Sequence, residues 1–121
     1  MIGLVCLVCG FLVVWQPFAT QAQSSTPQAK PALYEFGAGY CYSCKEMEKV
    51  MAELKPVYSG QVEFRMVYAD KEMPLFQQYK IMLIPTQVFL DASGKEVDRH
   101  IGPLTKEEVI QKLKELKFIG K

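Results

Sequence analysis

The strand-like run Ala32-Leu33-Tyr34-Glu35-Phe36 gives way, through Gly37-Ala38-Gly39, to a stretch whose apolar residues Met47, Val50, Met51 and Leu54 recur at helical spacing. Two cysteines, Cys41 and Cys44, stand at that joint. A residue at the first turn of a helix lies among backbone N–H groups that lack intrahelical partners, so the position of Cys41 favours a thiolate. Cys44 follows three residues later on the same helical face, close enough to bond with it. The spacing points to redox chemistry at the entrance to a helix, in a chain that mixes strands and helices.

The 121 residues, 50% hydrophobic and 22% charged, suffice for one domain with a core and not for two. Fourteen basic residues against thirteen acidic ones leave a net charge of +1, too little to favour nucleic acid, an anionic membrane or an acidic substrate. The charges are unevenly placed. No Lys, Arg, Asp or Glu precedes Lys30, and residues 2–15 form an uncharged apolar run. That run is shorter than the roughly 20 residues a spanning helix needs, and it suits the core of an export signal. Residues 1–22 are expected to be a signal peptide cleaved after Thr20-Gln21-Ala22 or, because the usual basic flank is missing, an N-terminal membrane anchor. Residues 23–30 read as a flexible spacer and residues 31–121 as the domain. Cys6 and Cys9 fall inside the apolar leader, where cysteine acts as a small hydrophobe.

Within the domain, Pro56 and Ser59-Gly60 are expected to close the first helix. Val62 to Ala69 alternates as a second strand, and Asp70 to Pro74 opens a short helix carrying Leu75, Phe76 and Tyr79. Thr86 to Leu90 forms a third strand, Asp91-Ala92-Ser93-Gly94 a hairpin turn, and Glu96 to Ile101 a fourth strand stopped by Gly102-Pro103. Thr105 and Glu108 make a capping-box pattern for a last helix with the stripe Val109, Ile110, Leu113 and Leu116. Together these elements predict an α/β fold with a central mixed four-stranded sheet flanked by helices.

The cysteine pair has bland alternatives. A structural bridge across so short a loop constrains the unfolded chain little. A zinc site wants four ligands, whereas only Cys41, Cys44 and His100 remain once the leader is set aside, so no metal site is assigned. Dithiol–disulfide exchange is the reading that uses both sulfurs. A Cu(I)-binding carrier stands as the alternative, because thiols and methionines are soft ligands. Met47, Met51, Met66, Met73 and Met82 are nonetheless spaced as core residues, and His100 reads as a solvated residue at a strand end.

The segments Phe36-Gly37-Ala38-Gly39-Tyr40-Cys41-Tyr42-Ser43-Cys44-Lys45, Ile84-Pro85-Thr86 and Asp91-Ala92-Ser93-Gly94-Lys95-Glu96-Val97, with Gly102, resemble the thioredoxin family. The likeness runs over about residues 31–118, and it implies a thioredoxin-like fold trimmed at its N-terminus. It implies that Cys41 is the nucleophile and Cys44 the resolving thiol, and that Pro85, 41 positions after Cys44, is cis and lies against the pair. Backbone beside that proline pairs with substrate in the family, so Ile84 and Thr86, with Tyr40 and Tyr42 as an aromatic rim, are the expected substrate-binding residues. Glu35, six residues before Cys41, matches a buried acid that would move a proton to or from Cys44.

There are departures from the family pattern. The lysine that often accompanies that acid is Met66, the common Trp-Cys-Gly-Pro-Cys is Tyr-Cys-Tyr-Ser-Cys, and an upstream tryptophan is Gly37. The expected activity is thiol:disulfide oxidation–reduction on protein disulfides outside the cytoplasm, in the periplasm or another extracytoplasmic space. Ile84 before Pro85 favours the reductase or isomerase direction. No cofactor beyond the Cys41–Cys44 disulfide is expected. The implied partners are disulfide-containing proteins and a membrane redox partner, without nucleic acid, and the protein is expected to be a monomer.

Overall fold

A computed structural model describes residues 30–120. The expected signal or anchor at residues 1–22, Cys6, Cys9 and nearly all of the spacer lie outside the described residues. Strand β1 spans Ala32–Gly37, helix α1 Tyr42–Tyr58, strand β2 Glu63–Tyr68, helix α2 Met73–Gln78, strands β3 and β4 Thr86–Leu90 and Glu96–Ile101, and helix α3 Lys106–Glu115. The sheet order is β2-β1-β3-β4, with β1 parallel to β2 and antiparallel to β3, and β3 antiparallel to β4. The mixed four-stranded sheet read from the pattern of apolar runs is therefore present.

Side chains alternate across the strands, so β1 sends its residues to two different cores. Leu33 joins Phe64, Phe89, Met47, Met51, Leu54, Val109 and Leu113 on the face that packs α1 and α3. Ala32 and Phe36 join Val67, Phe76, Val88 and Leu90 on the face that packs α2. Phe36 and Phe76 meet edge-to-face with ring centroids 5.1 Å apart, a geometry suited to the quadrupoles of two aromatic rings. Since both faces of β3 are covered, all five of its residues are buried.

Pro56 does not end α1, which runs two residues beyond it to Tyr58. Proline lacks the N–H that would bond the Ala52 carbonyl, but Ala52 is exposed, and water can take the place of that donor. The final turn then closes through the Ser59 N–H, which donates to the Lys55 carbonyl at 2.9 Å. At α3 the capping box is complete: Thr105 accepts from the Glu108 N–H at 3.2 Å, and Glu108 accepts from the Thr105 N–H at 2.7 Å. Lys112 ties α3 to β4 through Asp98 at 2.8 Å, and Lys106 reaches Glu53 of α1 at 3.1 Å.

Candidate active site

Cys41 is the N-cap of α1, in extended conformation, and its own N–H donates to the Ala38 carbonyl at 3.2 Å. The Cys44 backbone N–H donates to Cys41 Sγ at 3.3 Å, the place where a serine or aspartate oxygen commonly caps a helix. Ser43 Oγ lies 3.5 Å from the same sulfur. These groups and the helix N-terminus favour negative charge on Cys41 Sγ when the pair is open. Cys41 and Cys44 are joined as a disulfide with Cα atoms 5.2 Å apart. The two sulfurs are not equivalent in access, because Cys41 is half-buried while Cys44 is 2% exposed.

Gly37 explains how Cys44 fits under the helix. A Cβ at that position would lie 3.1 Å from Cys44 Cβ and 3.3 Å from its Sγ, so the absence of a side chain there leaves the Cys44 sulfur its room. Glu35 stands two residues earlier on the same face of β1 as Gly37. It is fully buried on a central strand. Gln87 Nε2 donates to Glu35 Oε2 at 2.8 Å. Burial pushes the Glu35 carboxyl up to about 8, and the Gln87 hydrogen bond pulls the other way.

The strand registers place four residues in one row across the sheet: Met66, Glu35, Gln87 and His100. Met66, where a lysine is common in the family, brings no charge to the acid. His100 is half-buried rather than solvated, since it stands opposite Gln87 on the face that packs α3. Gln87 is the residue that reading the sequence missed. The signal available was an amide in the apolar strand Thr86-Gln87-Val88-Phe89-Leu90, but its partner lies 52 residues away.

Pro85 is buried, and the Ile84–Pro85 bond is cis, as the family resemblance implies. Phe36 pairs with Thr86, so one step further along the register sets Pro85 beside Gly37 and hence beside the disulfide. The Gly102 N–H donates to the Pro85 carbonyl at 2.8 Å and holds the end of β4 against this loop. Ile84 is half-buried. The Thr86 side chain turns inward and donates to the Leu83 carbonyl at 2.7 Å, and the residue is 2% exposed between Phe36 of β1 and Ile101 of β4, so the expected substrate contact at Thr86 has no open surface.

Tyr40 and Tyr42 are 86% and 80% exposed on either side of Cys41, an uncovered aromatic rim. The expectation that all five methionines pack in the core fails for Met73 and Met82, which are exposed. They stand at the first residue of α2 and in the loop before Pro85, where the chain has one side open to solvent. Among the described residues no group of three or more His, Cys, Asp or Glu side chains comes together to hold a metal ion, and nothing in the site favours the Cu(I) carrier. No helix of the described residues is long and apolar enough to cross a membrane.

Chemically, the arrangement offers a disulfide with one approachable sulfur, a shielded second sulfur, and a buried acid on the same face. A model of the thioredoxin family matches residues 13–115, beginning within the uncharged apolar run and ending with the last residue of α3. Among curated relatives, the thiol:disulfide interchange protein TxlA homolog of Synechocystis sp. is 39% identical over 90 residues, covering 68% of this chain and 50% of that protein. Thioredoxin 2 of Chlorobaculum tepidum is 34% identical over 86 residues, covering 71% of this chain and 78% of the relative. The chain spans about half the length of the TxlA proteins it matches. Among solved structures, the germline-specific thioredoxin Deadhead of Drosophila melanogaster superposes with a TM-score of 0.66 at 27% identity, over 74% of this chain and 84% of that one.

Proposed function

The chain belongs to the thioredoxin family, and from that premise we propose that it is a thiol:disulfide oxidoreductase acting on protein disulfides outside the cytoplasm. The observation that carries the reading is the unequal access of a bonded pair at a helix N-terminus, with Cys41 half-buried and Cys44 sealed. In the reducing direction the Cys41 thiolate attacks a substrate disulfide, one substrate sulfur leaves, and a mixed disulfide forms. Cys44 then gives up its proton and attacks Cys41 Sγ, which releases the second substrate thiol and restores the Cys41–Cys44 bond. Glu35 is the group that takes and returns the Cys44 proton. The backbone of Ile84, ahead of Pro85, supplies an edge along which an extended peptide lies, and Tyr40 and Tyr42 give it an apolar grip.

The uncharged run at residues 2–15 supports export, either cleaved or anchored. Ile84 before Pro85 supports the reductase or isomerase direction. In an oxidising compartment that direction needs electrons resupplied, so a membrane redox partner is part of the proposal. The working protein needs no cofactor beyond its own disulfide, and it acts as a monomer.

The test is a trapping experiment with a measured potential. Cys44→Ser should accumulate mixed disulfides on Cys41, and Cys41→Ser should abolish reduction of a protein disulfide. Normal turnover by Cys41→Ser would sink the assignment. The equilibrium potential of the Cys41–Cys44 couple, read against glutathione, decides direction: a value as oxidising as the glutathione couple or more so would reverse the reductase reading.

A further inference from the structure

Gln87 occupies the middle of a strand buried on both faces, among Thr86, Val88, Phe89 and Leu90. An amide placed there costs roughly 1–3 kcal/mol unless its polar atoms are bonded, so an apolar side chain would serve packing better. Its one hydrogen bond runs from Nε2 to Glu35 Oε2. The remaining oxygens, Gln87 Oε1 and Glu35 Oε1, are buried without partners.

The donor count identifies the state that fits this pair. An ionised Glu35 leaves two buried acceptor oxygens and no donor for either. A neutral Glu35 adds a single O–H, and because Oε2 already accepts from Gln87, that hydrogen belongs on Oε1. The surroundings supply no rival. From β2 the facing residue is Met66, and Cys44 of α1 lies against Gly37, two residues along the same face of β1. On β4, His100 faces Gln87, while Asp98 is engaged by Lys112 of α3, and Glu108 of α3 caps its own helix. Among the described residues no cation bonds Glu35.

We propose that Gln87 is the positioning residue of the buried acid: by donating to Glu35 Oε2 it keeps the exchangeable proton on Oε1, the oxygen that trades it with Cys44. When a thiolate attacks Cys41 Sγ, the Cys41–Cys44 bond breaks and its electron pair stays on Cys44 Sγ. That sulfur takes the proton from Glu35 Oε1, and the Gln87 bond to the resulting carboxylate becomes charge-assisted. In the reverse step the carboxylate takes the proton of Cys44 as its sulfur attacks Cys41 in the mixed disulfide. This inference rests on the proposed disulfide exchange.

Two measurements test it. In the unaltered disulfide protein, isotope-edited NMR should show the Gln87 side-chain amide protons moving with pH at the same midpoint as the Glu35 carboxyl carbon. In Gln87→Met, which keeps volume and removes the donor, the Glu35 midpoint should rise by about one pH unit. Resolution of the mixed disulfide by Cys44 near neutral pH should then slow about tenfold, while the initial attack by Cys41 keeps its rate. Gln87 amide protons that stay flat through the Glu35 titration, or an unmoved midpoint in Gln87→Met, would overturn the proposal, and the first of these needs no variant to fold. Coupled titration in a protein that exchanges no disulfide would instead overturn the exchange reading, and with it the catalytic use of Gln87.

Discussion

Glu35 shows how much one side chain's meaning depends on what folds over it. Six residues before Cys41, it could have been an edge residue in water, yet it is fully buried and its carboxyl is pushed up to about 8 by that burial. The consequence for stability has a definite sign. The unfolded chain releases this proton near the ordinary glutamate value of about 4.3, whereas the folded protein keeps it up to about pH 8. Across that window the folded state holds more protons, so stability falls as pH rises, by at most about 1.4 kcal/mol per pH unit from this group. Glu35→Gln is neutral throughout and should flatten that slope. Urea unfolding at several pH values between about 5 and 8 checks it, and a variant as pH-sensitive as the parent would show that the acid is not the source.

The helices were nearly legible because their signals are local. The stripe from Met47 to Leu54 and the Thr105/Glu108 pair each involve residues within a few turns of one another. The capping box predicts its own test: Thr105→Ala removes the acceptor for the Glu108 N–H and should cost about 1 kcal/mol, while Thr105→Ser keeps it. Denaturant midpoints for the two variants give the comparison, and equal midpoints would mean the cap contributes nothing. The end of α1 has the same local character: Ser59 is its C-cap, as the Ser59-Gly60 signal implies, while Pro56 is carried inside the last turn. Proline was read as a stop, but a missing donor near the end of a helix, opposite an exposed carbonyl, is tolerated. At the other end of α1, the spacing of Cys41 and Cys44 was enough to place both sulfurs at the first turn.

At the scale of the molecule, the order β2-β1-β3-β4 gathers the site at one end of the sheet. There the end of β1 meets the start of β3, and Gly102 closes over the Pro85 carbonyl. Export belongs to this scale too, since it concerns the chain as a whole. If residues 1–22 are a cleaved signal, mass spectrometry of protein from fractionated cells should find Gln23 as the first residue. Retention of Met1 in the membrane fraction would mean an anchor, and an intact cytoplasmic chain would remove the extracytoplasmic proposal. The sequence by itself determined the order of strands and helices, the Thr105 cap of α3 and the pairing of Cys41 with Cys44. Each follows from periodicity or spacing over a short span. Only the tertiary structure decided that Gln87 meets Glu35 across 52 residues, and that Gly37 makes room for the Cys44 sulfur. Only it decided that Met82 faces solvent while Glu35 does not. Those outcomes depend on which strands become neighbours and which face a helix covers, and such long-range choices set the burial that tunes an acid and the access that separates two sulfurs.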